Sequence, residues 1–103
     1  MGNITIDSSL LDELQENLQT IDEDIPRLNR IIREGINYLQ DDIAGITLDF
    51  EEGSSNRALL MDYCRYSYNN ALEYFEENFK RQLLRLQMSA VIKNATNEQW
   101  NKE

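Results

Sequence analysis

The chain has no histidine and a single cysteine, Cys64. Without histidine there is no Ser-His-Asp triad and no Cys-His pair, so the usual routes to nucleophilic catalysis are closed. Zinc sites, which draw on several Cys and His ligands, are closed with them. One cysteine also rules out a disulfide framework within the chain. There is one proline, and the four glycines are Gly2, Gly35, Gly45 and Gly53, nowhere clustered into a phosphate-cradling loop. No apolar run is long enough to cross a bilayer and no secretory pattern opens the chain, so we expect a soluble, intracellular protein. Met1-Gly2 lacks Ser or Thr at the sixth position, which argues against a myristoyl signal. Asn3-Ile4-Thr5 and Asn94-Ala95-Thr96 are sequons only in form, without meaning unless the chain is secreted.

What is present describes one helix-leaning globular domain: 103 residues, 41% hydrophobic and 28% charged. Its charge is lopsided. Residues 1–62 hold fourteen acids against Arg27, Arg30, Arg33 and Arg57, a net of −10. From Tyr63 onward six bases face five acids, and no acid occurs between Lys80 and Lys93. An acidic body disfavours adsorption to DNA, while a basic tail suits an acidic partner surface.

Hydrophobic spacing predicts three main helices. Ser9 is a candidate N-cap for a short first helix striped by Leu10, Leu14, Leu18 and Ile21. Asp24 is a candidate cap for the second, with Pro26 in the first turn, where a missing N–H costs nothing. Its stripe is Leu28, Ile32, Ile36, Leu39 and Ile43, and Gly45 marks a stop. Gly35 inside that helix costs about 1 kcal/mol relative to Ala; close approach by another helix would explain it, and a plain weak point equally so. Residues 44–54 read as an ordered loop with Ile46, Leu48 or Phe50 tucked onto the core. Ser54 or Ser55 then caps a long third helix continuing to about Lys80. That helix carries nearly two apolar stripes: Leu60, Cys64, Tyr68, Ala71, Phe75 and Phe79 on one, Leu59, Tyr63, Tyr66 and Tyr74 on the other. A monomer usually needs one. Cys64 on such a stripe is a small buried hydrophobe, and the aromatic surface is either core or, where it stays exposed, a self-association face, the second favoured.

Past Lys80 the helical phase fails, because Leu83, Leu84, Leu86 and Met88 would scatter round a cylinder. At period two, Leu84, Leu86, Met88, Ala90 and Ile92 share one side. Two readings stand side by side: an imperfect helix on its own core, or a strand that adds to another protein's sheet edge. The fold expectation is therefore all-α, a small bundle of three main helices with a strand-like or extended C-terminal segment. Residues 1–80 form the helical domain in this reading, and residues 81–103 the docking segment and tail.

No residue set looks catalytic. Asp22-Glu23-Asp24 lacks the Gly and the distant Glu of a calcium loop, so it reads as a cap with solvated acids. Arg27, Arg30 and Arg33 recur every third residue as a basic stripe, either a solvated face or a docking surface for another copy.

The order of these parts resembles a known family. A short acidic helix, Asp-Glu-Asp-Ile-Pro opening a second helix, GINYLQDDIAGI, a loop, then RALLMDYCRYSYNNALEYFEENFKRQLLRLQMSAVI are similar to the head–tail connector (adaptor) proteins of tailed bacteriophages. The likeness spans most of the chain and is closest over residues 57–92. It implies a non-enzymatic subunit without cofactor or metal, in a ring (dodecameric on the portal) at the head–tail interface of the virion, assembled in the host cytoplasm. The ring extends the DNA channel, lets DNA pass without specific binding, touches no membrane, and docks a stopper or head-completion protein. Carried over, portal contact falls to Lys80, Arg81, Leu84, Arg85, Leu86, Met88 and Ile92. The residues' own pattern, the basic stripe and the aromatic excess, gives the subunit contact as Arg27, Arg30, Arg33, Tyr63, Tyr66 and Tyr74. Gly35 departs from the larger helix former common there. The rival expectation is a small acidic all-helical regulatory protein acting as a dimer.

Overall fold

A computed structural model describes residues 8–20 and 22–101, with side chains described as far as Asn94. The fold is all-α: α1 (Ser8–Leu18), α2 (Ile25–Asn37), α3 (Ser55–Tyr68), α4 (Phe75–Asn78) and α5 (Lys80–Asn101). A π-helical segment, Tyr38–Ala44, continues α2, and Asp22–Asp24 and Leu72–Tyr74 are 3-10 turns. The weakly alternating arm at residues 1–7, Ile21 and the side chain of Trp100 lie outside the described residues.

The core grows from the predicted stripes. Leu10 and Leu14 of α1, Leu28, Ile32 and Ile36 of α2, Leu39, and Leu60 and Cys64 of α3 are buried in one cluster. A Cβ on Gly35 would stand 2.7 Å from Leu60 Cδ1 and 2.8 Å from Tyr63 Cδ1. The glycine therefore lets α2 and α3 pack with almost no gap, and its propensity cost is offset by that packing. Gly45, at φ 73°, ends the π segment in the left-handed conformation, its N–H donating to the Gln40 carbonyl at 2.7 Å. The Leu48 N–H donates to Gln40 Oε1 at 3.0 Å, and Leu48 and Phe50 pack onto the core as the loop reading requires.

Two caps differ from expectation. Ser9 lies inside α1, which begins by Ser8. Its carbonyl accepts from Arg57 Nη2 at 2.9 Å. Asp24 makes no side-chain cap; its carboxylate accepts from the Tyr68 hydroxyl at 2.9 Å, tying the start of α2 to the end of α3. Ser54 does cap α3, its hydroxyl accepting from the Arg57 N–H at 3.1 Å.

The third helix is not continuous. It stops at Tyr68, where Asn70 takes φ 57°. The Ala71 N–H donates to the Tyr66 carbonyl at 2.8 Å and the Asn70 N–H to the Ser67 carbonyl at 3.1 Å, the paired bonds of a Schellman end. Asn tolerates that conformation at lower cost than most residues, and the Asn69 side chain adds a bond to the Arg65 carbonyl at 2.8 Å. Apolar periodicity carries across this break because Phe75 and Phe79 still pack inward. The two rings stack at 4.8 Å, and Tyr63 and Tyr66 meet the Phe75 ring edge-on at 5.5 and 5.7 Å. A second break follows at Phe79, φ −115° and ψ 21°.

The strand-like reading of residues 84–92 is overturned: they belong to α5, and no strand occurs among the described residues. An unpaired strand leaves its backbone groups without partners, whereas a helix satisfies them locally, and Lys, Arg, Gln, Leu and Met all favour helix. Leu83 and Leu86 join the core cluster and α5 lies against the π segment. Beyond Ala90, the last buried side chain described, the helix continues about 16 Å to Asn101. The molecule is accordingly long, 52 × 28 × 25 Å.

Candidate docking surface

On α5 the apolar residues fall into two stripes, more than a third of a turn apart. Leu83, Leu86 and Ala90 face the bundle and are buried. Leu84, Met88 and Val91, spaced 4 and 3, face outward and are 54, 57 and 63% exposed. Ile92 is exposed beside them. The failed phase of the sequence is thus the sum of two good phases on one cylinder. Arg81 and Arg85 run along one side of the outer stripe and Lys80 stands at its start on the other, all exposed and with no acid in the stretch. Between α3 and α5 lies an open groove of about 300 Å³, lined among others by Asn56, Asp62, Gln82, Arg85 and Ser89.

The residues assigned to portal contact therefore divide. Lys80, Arg81, Leu84, Arg85, Met88 and Ile92 are on exposed faces, and Leu86, 9% exposed, is part of the core. Val91 belongs with Leu84 and Met88, which period-two reading hides and helical spacing reveals.

The proposed subunit contacts divide as well. Tyr63 is buried, and burial raises its hydroxyl pKa above the usual tyrosine value. Tyr66 is half-buried, accepting from Asn78 Nδ2 at 3.0 Å. Arg27 turns inward: its guanidinium lies 4.4 Å from the Tyr68 ring centre and donates to the Tyr68 carbonyl at 3.0 Å. Arg30 and Arg33 are exposed on α2, and Tyr74 is 59% exposed.

Two residues before Tyr74 stands Leu72, 37% exposed, a residue the sequence did not single out. Both project from the 3-10 knuckle between α3 and α4, beside exposed Glu73, Glu76 and Glu77. Glu76 also accepts from the Tyr38 hydroxyl at 2.6 Å, and burial together with that bond pushes the Tyr38 pKa upward. The Asn69-Asn70 pair was the sequence signal that a turn, and hence an exposed knuckle, interrupts the helix.

Elsewhere the polar groups serve the fold. Arg57, 3% exposed, is held by Glu13 Oε1 at 2.7 Å and by the Ser9 carbonyl, with longer contacts to the Ser9 hydroxyl and the Phe50 carbonyl. It binds α1, the loop and α3 together. Burial pushes the Cys64 thiol up to about 12, which makes it a poor nucleophile. Among the described residues no group of three or more His, Cys, Asp or Glu is placed to hold a metal, and no helix is long and apolar enough to cross a membrane. No family model, curated protein or solved structure matches the chain.

Proposed function

We propose that the protein is a non-enzymatic assembly subunit, a head–tail connector of a tailed bacteriophage. In this reading it forms a ring on the portal and uses α5 as its docking element. The observation that carries the proposal is the outer side of α5, an apolar stripe edged by Lys80, Arg81 and Arg85 and left exposed. A helix built only for its own interior needs one apolar face. Two faces, one left in solvent, mark a surface meant for another macromolecule.

Docking is then a helix laid on an acidic, apolar-lined surface, and strand addition is no longer needed. The negative body (residues 1–62) suits the wall of a channel that passes DNA without holding it. Many identical contacts around a closed ring add up to firm attachment.

The test is co-purification with a portal protein, comparing wild type with Arg81→Glu/Arg85→Glu. Reversing both charges should cut capture at least tenfold and weaken its dependence on salt. Unchanged capture would remove the basic edge from the docking surface. Wild-type chain that no portal retains would remove the connector reading itself.

A further inference from the structure

The large hydrophobic side chains left exposed on the described molecule fall into just two groups. Leu72 and Tyr74 stand on the knuckle among Glu73, Glu76 and Glu77. Leu84, Met88 and Val91, with Ile92 beside them, stand on the outer side of α5 among Lys80, Arg81 and Arg85. One patch is apolar with acids around it, the other apolar with bases around it. Within one molecule they do not cover each other, since both are exposed.

We infer that these two patches are mates: the Leu72–Tyr74 knuckle of one copy seats on the Leu84–Met88–Val91 stripe of a second copy. The inference rests on the reading that the outer side of α5 is a docking surface, and it names the occupant of the apolar part. The helical turns beyond Ile92 are left for the portal.

Charge selects this pairing over the symmetric ones. Stripe against stripe would bring Lys80, Arg81 and Arg85 onto their own copies, with no acid between Lys80 and Lys93 to relieve them. Knuckle against knuckle would oppose Glu73, Glu76 and Glu77. Knuckle on stripe places opposite charges round a shared apolar centre, the arrangement of a well-made interface. An aromatic anchor such as Tyr74 suits the middle of such a contact. Because the two surfaces differ, each copy can both give and receive, and the contact repeats head to tail until it closes as a ring or extends.

That asymmetry supplies a test needing no partner protein. Wild-type chain, Leu72→Glu/Tyr74→Glu and Met88→Glu are compared by sedimentation velocity and native mass spectrometry, alone and mixed in equal amounts. All three substitutions lie at exposed positions, and circular dichroism confirms the fold of each variant before mixing. Wild type is expected to form species larger than a dimer as concentration rises, and each variant alone to remain monomeric, with association weakened at least tenfold. The mixture should recover a heterodimer and nothing larger, because one intact knuckle meets one intact stripe and the other two surfaces are disabled.

A wild type that stays monomeric overturns the inference, as does a knuckle variant that associates like wild type. Monomeric variants whose mixture gives no heterodimer also overturn it, and point to a symmetric contact. Portal capture is read in a separate experiment, so a chain that self-assembles without retaining the portal sinks the connector reading alone. A chain that the portal captures but that never pairs with itself sinks this one alone.

Discussion

Between α2 and α3 a methyl group on Gly35 would come within 2.7 Å of Leu60 Cδ1, whereas on α5 Leu84, Met88 and Val91 each leave more than half their surface in solvent. The two regions draw on similar residue types. They differ in whether the chain supplies the other side of the contact. In the body, the α2 stripe meets α3, and the loop and α1 close over it, with Arg57 as the polar tie. On α5, Leu83, Leu86 and Ala90 are buried against the bundle, whereas Leu84, Met88 and Val91 stay more than half exposed. Burying that outer stripe is worth on the order of 3 kcal/mol, comparable to a large share of a small domain's net stability. A surface left open at that cost is informative because the body shows the same chain sealing its apolar residues elsewhere.

The largest effect should come from opening the sealed region. Leu60→Ala removes a fully buried side chain at the tightest contact and should cost about 2–5 kcal/mol in denaturant unfolding. A loss under about 1 kcal/mol would mean that the α2–α3 contact is looser than the Gly35 distances indicate. Arg57→Met comes next. It removes the charge held by Glu13 and the bonds to the Ser9 and Phe50 carbonyls, for a cost of about 3 kcal/mol, at the low end for breaking a buried pair because Glu13 is partly solvated. If the variant is as stable as wild type, the tie is packing alone.

Alkali probes the same region more gently. Below pH 9 the Cys64 thiol keeps its proton both folded and unfolded. Between that value and about 12 only the unfolded chain releases it, so stability is lost as pH rises. By about pH 10 the loss from this group amounts to about 1.4 kcal/mol. Burial raises Tyr63 and Tyr38 in the same direction. Cys64→Ala should therefore lose less stability than wild type between about pH 8 and pH 10, measured by urea unfolding at each pH. Parallel declines would assign the alkaline sensitivity to the tyrosines.

Much of this was legible beforehand where period and function coincide. The stripes of α1, α2 and α3, the Ser54 cap, the Gly45 stop and the tucked Leu48 and Phe50 follow from spacing and turn chemistry. Gly35 left two readings open, a close helix contact or a plain weak point, and the structure gives the close contact. Two things were not legible. Asn69-Asn70 breaks the helix while Phe75 and Phe79 continue to face inward, so the apolar record runs on across a turn and conceals it. Leu84, Leu86 and Met88 mimic a strand because a helix with two apolar stripes carries two superposed periods, and one sequence records only their sum. The knuckle went unseen for the first reason and the outer stripe was misphased for the second.

The smallest expected effect is the one that separates those two periods. Leu83 and Leu84 are chemically identical neighbours, 7% and 54% exposed. Leu83→Ala should cost about 2 kcal/mol, the low end for a buried leucine because it sits at the rim of the core. Leu84→Ala should change stability by less than about 0.5 kcal/mol, the range for surface positions, at concentrations where the protein is monomeric. A strand would give a different pattern: Leu84 and Leu86 would share a side, and their substitutions would be costly or harmless together. In the helix they part, Leu86→Ala grouping with Leu83→Ala and Leu84→Ala with Met88→Ala. If Leu84→Ala proves as damaging as Leu83→Ala in the monomer, the outer stripe is not open, and α5 is packed for its own chain on both sides.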